Sequence, residues 1–170
     1  MTSASGTQRR SSGPTGARLA FDLSVRIRRP APEVFALLAD IQDAEPLPRR
    51  ATLQMVKDPS GPTAVGTRWH EAVRIAPGCW LPIENIVTEM EPPARLGIDF
   101  TTRWFGGHLT YEIETTQDGC VLHHRETLRP PNRGPGGALL PWLPAVIAPP
   151  LRRHVAERLD DIRAYVESGA

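Results

Sequence analysis

Lysine is all but missing from this chain of 170 residues, where Lys57 stands against nineteen arginines. The arginines do not cluster. The doublets Arg9-Arg10, Arg28-Arg29, Arg49-Arg50 and Arg152-Arg153 lie far apart, and the net charge is only +1. No strong field draws the chain to nucleic acid or anionic lipid. The arginine bias, with its accompanying alanine, proline and glycine, reads as codon composition. Cysteine is scarce too. Cys79 and Cys120 have no CxxC spacing and no histidine at zinc-ligand distance, which argues against a structural metal and for a reducing, cytoplasmic setting. The apolar run at 138–150 is short and broken at Pro141, Pro144, Pro149 and Pro150, so no stable membrane insertion is expected. Nucleotide, metal-hydrolase and nucleophile-elbow signatures are missing, and Gly134-Pro135-Gly136-Gly137 lacks the lysine of a phosphate loop. No cofactor is expected.

What is present is alternation. Residues 1–18 are rich in Ser, Thr, Gly and Arg and read as a disordered tail, neither signal nor anchor. Residues 19–170 are expected to form one domain. Leu19, Phe21, Leu23, Val25 and Ile27 alternate with mostly polar residues, the period of a strand with one wet face. At Pro30-Ala31-Pro32-Glu33 the period turns helical. Pro32 fits a first turn, and Glu33 suits the positive end of the helix dipole. A second short helical turn or loop is expected within 41–48.

Further strands follow. Leu53 and Met55 mark the second. Thr67, Trp69, Glu71, Val73 and Ile75 share a face in the third. The fourth, at 81–90, has an ambiguous inner face because Ile86 and Val87 are both apolar, so either Glu84 or Asn85 points inward. Leu96, Ile98, Phe100, Thr102 and Trp104 share a face in the fifth, and Gly106-Gly107 reads as its hairpin turn. Leu109, Tyr111 and Ile113 mark the sixth, and Cys120, Leu122, His124, Glu126 and Leu128 the seventh. Turns at hairpin spacing imply an antiparallel sheet. From Leu151 a helix carries the stripe Leu151, Val155, Leu159, Ile162 and Val166. One helix laid on a sheet that coils leaves room beneath it, so an internal pocket is expected.

This order resembles the helix-grip superfamily, which includes birch-pollen-allergen-like proteins, START-type lipid-transfer domains and the polyketide cyclase/dehydrase branch. The resemblance is carried by Val25, Ile27, Pro30, Pro32, Val34, Phe35, Leu37, Leu38 and Asp40, by Val65-Gly66-Thr67, by Glu91-Pro92-Pro93 with Arg95-Leu96, and by Gly119, Leu122 and His124-Arg125. It is closest to the cyclase/dehydrase branch. It implies an α+β helix-grip fold: a seven-stranded curved antiparallel sheet around a long C-terminal helix, with two short helices after the first strand. Most such proteins have a longer uninterrupted terminal helix, whereas here four prolines precede Leu151.

Several residues carry candidate chemistry. Glu71 sits between Trp69 and Val73 on an apolar face, where desolvation suits a general acid or base; a strand bulge that turns it outward, or a pairing with arginine, is the plainer reading. His124 and Glu126 share a face two residues apart, as an acid-base pair or as polar lining. Tyr111 on the adjacent strand offers a hydroxyl to a ligand carbonyl, or is a core tyrosine with its hydroxyl satisfied. His123 points opposite to His124, and His70 and His108 fall on outer faces, so a histidine metal site is not expected. Trp69, Val73, Phe100, Trp104, Leu122, Val155 and Leu159 are the expected walls. Trp142 belongs to an apolar patch that is core, lid or contact surface.

The expected partner is therefore a small hydrophobic molecule, polyketide-, lipid- or aromatic-like. The resemblance implies either cofactor-free cyclisation and dehydration, with Glu71 or His124 as base and Tyr111 as carbonyl polariser, or non-catalytic carriage. A protein-interaction module is the third possibility, and the scattered outer charges do not favour it.

Overall fold

The computed structural model describes residues 19–40, 52–76, 78–129 and 143–169. The elements run β1 (Leu19–Ile27), α1 (Ala31–Ala39), β2 (Thr52–Asp58), β3 (Arg68–Ala76), β4 (Cys79–Glu91), β5 (Arg95–Thr102), β6 (Gly106–Thr116), β7 (Gly119–Arg129) and α2 (Leu143–Ser168). One antiparallel, curved sheet contains all seven strands in the order β1-β7-β6-β5-β4-β3-β2. From β2 to β7 every spatial neighbour is also a chain neighbour. Only β1 crosses, to pair with β7. The architecture is α+β helix-grip, with a short helix after the first strand and α2 against the inner face, its backbone nearest to β1 and α1.

Alternation decides which side chains are covered. Val25, Ile27, Trp69, Leu96, Ile98, Tyr111, Ile113, Cys120 and Leu122 form the core of the inner face, and Val155, Leu159, Ile162 and Val166 of α2 close on them. The outer face carries charge. Arg125 bridges Asp22 at 3.0 Å and Glu112 at 2.6 Å, and His108 meets Asp99 at 2.7 Å. These exposed pairs add little stability. Where α1 ends, Lys57 binds Asp40 at 2.8 Å and the Thr63 hydroxyl bridges Asp40 and the Ala39 carbonyl, tying the helix to β2.

Three expectations need correcting. First, β5 stops at Thr102. The Thr102 hydroxyl accepts the N–H groups of Trp104 and Phe105 at 3.1 and 3.0 Å, closing the turn before the glycines. Trp104 therefore leaves the sheet and is 41% exposed, so it is no wall residue. Gly106 and Gly107 begin β6 instead. Gly107 faces Phe100 across the ladder, and a Cβ there would lie 2.3 Å from the Phe100 ring. Second, α2 starts at Leu143, not Leu151. Pro144 occupies the first turn, where no N–H is needed, and Pro149 and Pro150 are carried inside the helix at the loss of two ladder bonds. Third, β4 begins at Cys79 and shifts register between Val87 and Glu89. Leu81, Asn85 and Val87 are buried while Glu84 is exposed, which settles the inner face. The expected tail at 1–18, the second helix within 41–48 and Trp142 lie outside the described residues.

Candidate functional site

β7 turns His124 and Glu126 to the inner face. The His124 Nε2 lies 3.1 Å from the Glu126 Oε2, and the two side chains are 3% and 7% exposed. A carboxylate only accepts, so the imidazole donates from Nε2, and in the tautomer that carries this proton the lone pair is on Nδ1. That Nδ1 is buried and meets no partner among the described residues. Ladder register fixes the surroundings. Leu23 of β1 and Tyr111 of β6 stand on either side of His124. The Tyr111 ring meets the imidazole edge-on at 5.2 Å between centroids, and the Phe21 ring lies near-parallel at 6.1 Å.

The opposite flank comes from β3 and β4. Glu71 is half-buried and accepts the Asn85 Nδ2 at 3.1 Å. Asn85 also leans toward the Trp69 carbonyl at 3.5 Å. The Trp69 indole Nε1 is buried and, like the His124 Nδ1, lacks a partner among the described residues. Trp69 itself is in the main core cluster with Tyr111, Leu122, Val155 and Leu159.

α2 closes the cluster with two residues that pattern reading did not single out. The Arg158 guanidinium acts on the Tyr111 hydroxyl and on His154, which lies close by. Burial pushes the Tyr111 hydroxyl above the usual phenol range. The Arg158 guanidinium works against that shift, and the Glu126 and Glu71 carboxylates add to it. Burial, then Arg158, holds the His154 imidazole below its usual range, against the pull of Glu71, Glu157 and Glu126. Glu71 on β3 and Glu126 on β7 thus act on the same two groups although three strands separate β3 from β7 in the sheet order. Curvature and the overlying helix bring them together.

Of the residues expected from sequence, Glu71, Tyr111, His124 and Glu126 converge, with Trp69, Leu122, Val155 and Leu159 among the apolar residues around them. Phe100 is buried in a second cluster with Leu81, Phe105 and Leu128. Val73 lies in β3, and only its backbone is described. Among the described residues no three His, Cys, Asp or Glu gather as metal ligands, and no helix is long and apolar enough to cross a membrane.

A polar knot enclosed between a curved antiparallel sheet and a long terminal helix places this domain in the helix-grip class. The chain belongs to the family of polyketide cyclase / dehydrase and lipid transport proteins, whose model matches residues 18–167. Among solved structures, Ara h 8.0201 is similar at 14% identity and TM-score 0.69, over 88% of this chain and 98% of that one. The di-domain ARO/CYC StfQ from the steffimycin biosynthetic pathway is similar at 14% identity and TM-score 0.68, over 88% of this chain and 50% of that one. TTHA0849 from Thermus thermophilus is similar at 14% identity and TM-score 0.68, over 89% of this chain and 99% of that one. Such identities establish the fold. A comparison with curated protein sequences gives no match. Family and fold point to binding of a hydrophobic ligand.

Proposed function

We propose that residues 19–170 form one domain that holds a small aromatic-, polyketide- or lipid-like molecule between the inner sheet face and α2. Trp69, Leu122, Val155 and Leu159, with Phe100 toward one end, supply apolar walls, and ligand burial supplies about 25 cal/mol per Å². Glu71, Tyr111, His124, Glu126 and Arg158 orient its polar atoms. The observation that carries this reading is the His124–Glu126 pair, buried among Phe21, Leu23 and Tyr111. Polar groups buried in apolar surroundings cost stability, and a site that must recognise polar atoms accounts for their presence. Native mass spectrometry of the freshly purified protein tests it. A co-purifying small organic molecule is expected. A ligand-free spectrum, with no uptake of any apolar aromatic or acyl compound, contradicts it.

A catalytic form of this reading draws on how the cluster is backed. Glu126 supports the imidazole whose Nδ1 is open, and Arg158 supports the Tyr111 hydroxyl. The His124 Nδ1, or the Glu71 carboxylate, takes the α-proton of a keto substrate. The electron pair moves onto the carbonyl oxygen, which Tyr111 hydrogen-bonds. The enolate carbon then attacks a second carbonyl held nearby, forming the C–C bond while that carbonyl's π pair becomes an alkoxide, which takes the proton held by the base. The base then removes a second α-proton, the C=C bond forms, and the hydroxyl leaves as water with that proton. Turnover by Glu71→Gln and His124→Ala tests these roles. Both variants are expected to lose activity with the fold intact, and survival of turnover in both contradicts these roles.

A further inference from the structure

The two orphaned atoms have opposite characters. The Trp69 Nε1–H is a donor without an acceptor, and the His124 Nδ1, with Nε2 committed to Glu126, is an acceptor without a donor. Both are buried on the inner face, one toward each flank of the cluster. A buried donor or acceptor left unmatched by a ligand that displaces its solvent costs about tenfold in affinity or more. The charges around them add a second restriction. Among the described residues the cluster sets the carboxylates of Glu71 and Glu126 against the guanidinium of Arg158, and all three act on Tyr111 and His154. A third carboxylate would enter uncompensated, and an unpaired charge in such a place is strongly disfavoured.

We infer that the site selects a neutral ligand that offers a hydroxyl donor to His124 and a carbonyl acceptor to Trp69 from one apolar frame, and that it rejects free fatty acids. This rests on the ligand-site reading above and narrows it. The hydroxyl and the carbonyl are read by different strands, so the pair sets ligand orientation as well as class. Sites built to hydrogen-bond a substrate hydroxyl discriminate strongly against the analogue that lacks it.

The test is a matched titration of the full chain, followed by the methyl signals of Leu122, Val155 and Leu159 in NMR. The probes are para-hydroxyphenyl butanone, its methyl ether (no donor), para-butylphenol (no carbonyl) and palmitate (a carboxylate). The hydroxy ketone is expected to bind about tenfold or more tightly than either analogue, and palmitate to bind most weakly. Trp69→Phe is expected to erase the advantage of the ketone while keeping that of the hydroxyl. His124→Phe is expected to do the reverse. The wild-type comparison stands by itself if either variant folds poorly. Equal binding of all four probes, or preference for palmitate, overturns the inference while leaving the ligand site intact. Binding of none overturns the ligand site and the inference with it.

Discussion

Tyr111 on β6 stands directly across the ladder from His124 on β7, its ring edge-on to the imidazole with centroids 5.2 Å apart. Each of the two is backed by a charged residue, Tyr111 by Arg158 from α2 and His124 by Glu126 from its own strand. The order is sheet, aromatic contact, charge, helix.

The His124–Glu126 pair costs stability when halved. Glu126→Leu leaves the buried Nε2–H unpaired and is expected to destabilise by about 1–3 kcal/mol. The double variant His124→Phe with Glu126→Leu removes both partners and is expected to recover part of that loss. Denaturant unfolding of the four proteins of the cycle checks this. Additive losses would mean that the two side chains are not coupled.

Arg158 holds the Tyr111 hydroxyl down against burial and the two carboxylates. Arg158→Met is therefore expected to raise the Tyr111 ionisation further. Tyrosine-selective NMR titration, with Tyr165 as internal comparison, reads the shift. An unmoved or lowered Tyr111 ionisation would show that the guanidinium does not reach the phenol.

His154 makes stability depend on pH. Its folded-state pKa lies below the ordinary value of 6.5 because burial, then Arg158, disfavour the charged ring. Below about 6.5 the unfolded chain binds the proton more readily than the folded one, so stability is full above that pH and falls as acid is added. The fall continues until pH passes below the depressed value. His154→Gln is expected to lose less in Tm than wild type between about pH 7.5 and 5.5. Equal losses would remove His154 from the account.

Much of this was legible as alternation. Phe21 to Ile27 and Cys120 to Leu128 have inner and outer residues in strict turn, so His124 and Glu126 could be placed inward from sequence alone. The fourth strand resisted because a register shift between Val87 and Glu89 puts both Ile86 and Val87 near cover. Trp104 was misplaced because extending the period through it ignored Thr102, whose short hydroxyl caps a turn at once. Arg158 and His154 escaped because the apolar stripe of α2 drew attention to Val155, Leu159 and Ile162 alone. Both flank that stripe at helical spacing, four residues apart, and that spacing was the available signal.

Gly107 marks how closely β6 passes Phe100. An added methyl group would meet the Phe100 ring and the Thr127 carbonyl oxygen, each at 2.3 Å. Gly107→Ala is expected to cost about 1–3 kcal/mol by overpacking. Gly106→Ala, with its nearest atom at 3.0 Å, is expected to cost less. Thermal unfolding ranks the two, and the reverse order would contradict the placement of Phe100 over β6.

The proposed ligand lies inside, between sheet and helix. Isotope-filtered NOE measurement on the complex with para-hydroxyphenyl butanone tests it most directly, using methyl labels on Leu122, Val155 and Leu159. Ligand protons are predicted to contact methyl groups from both β7 and α2, which only an interior position allows. Contacts confined to the outer sheet face, at Thr110 and Thr127, would contradict the account.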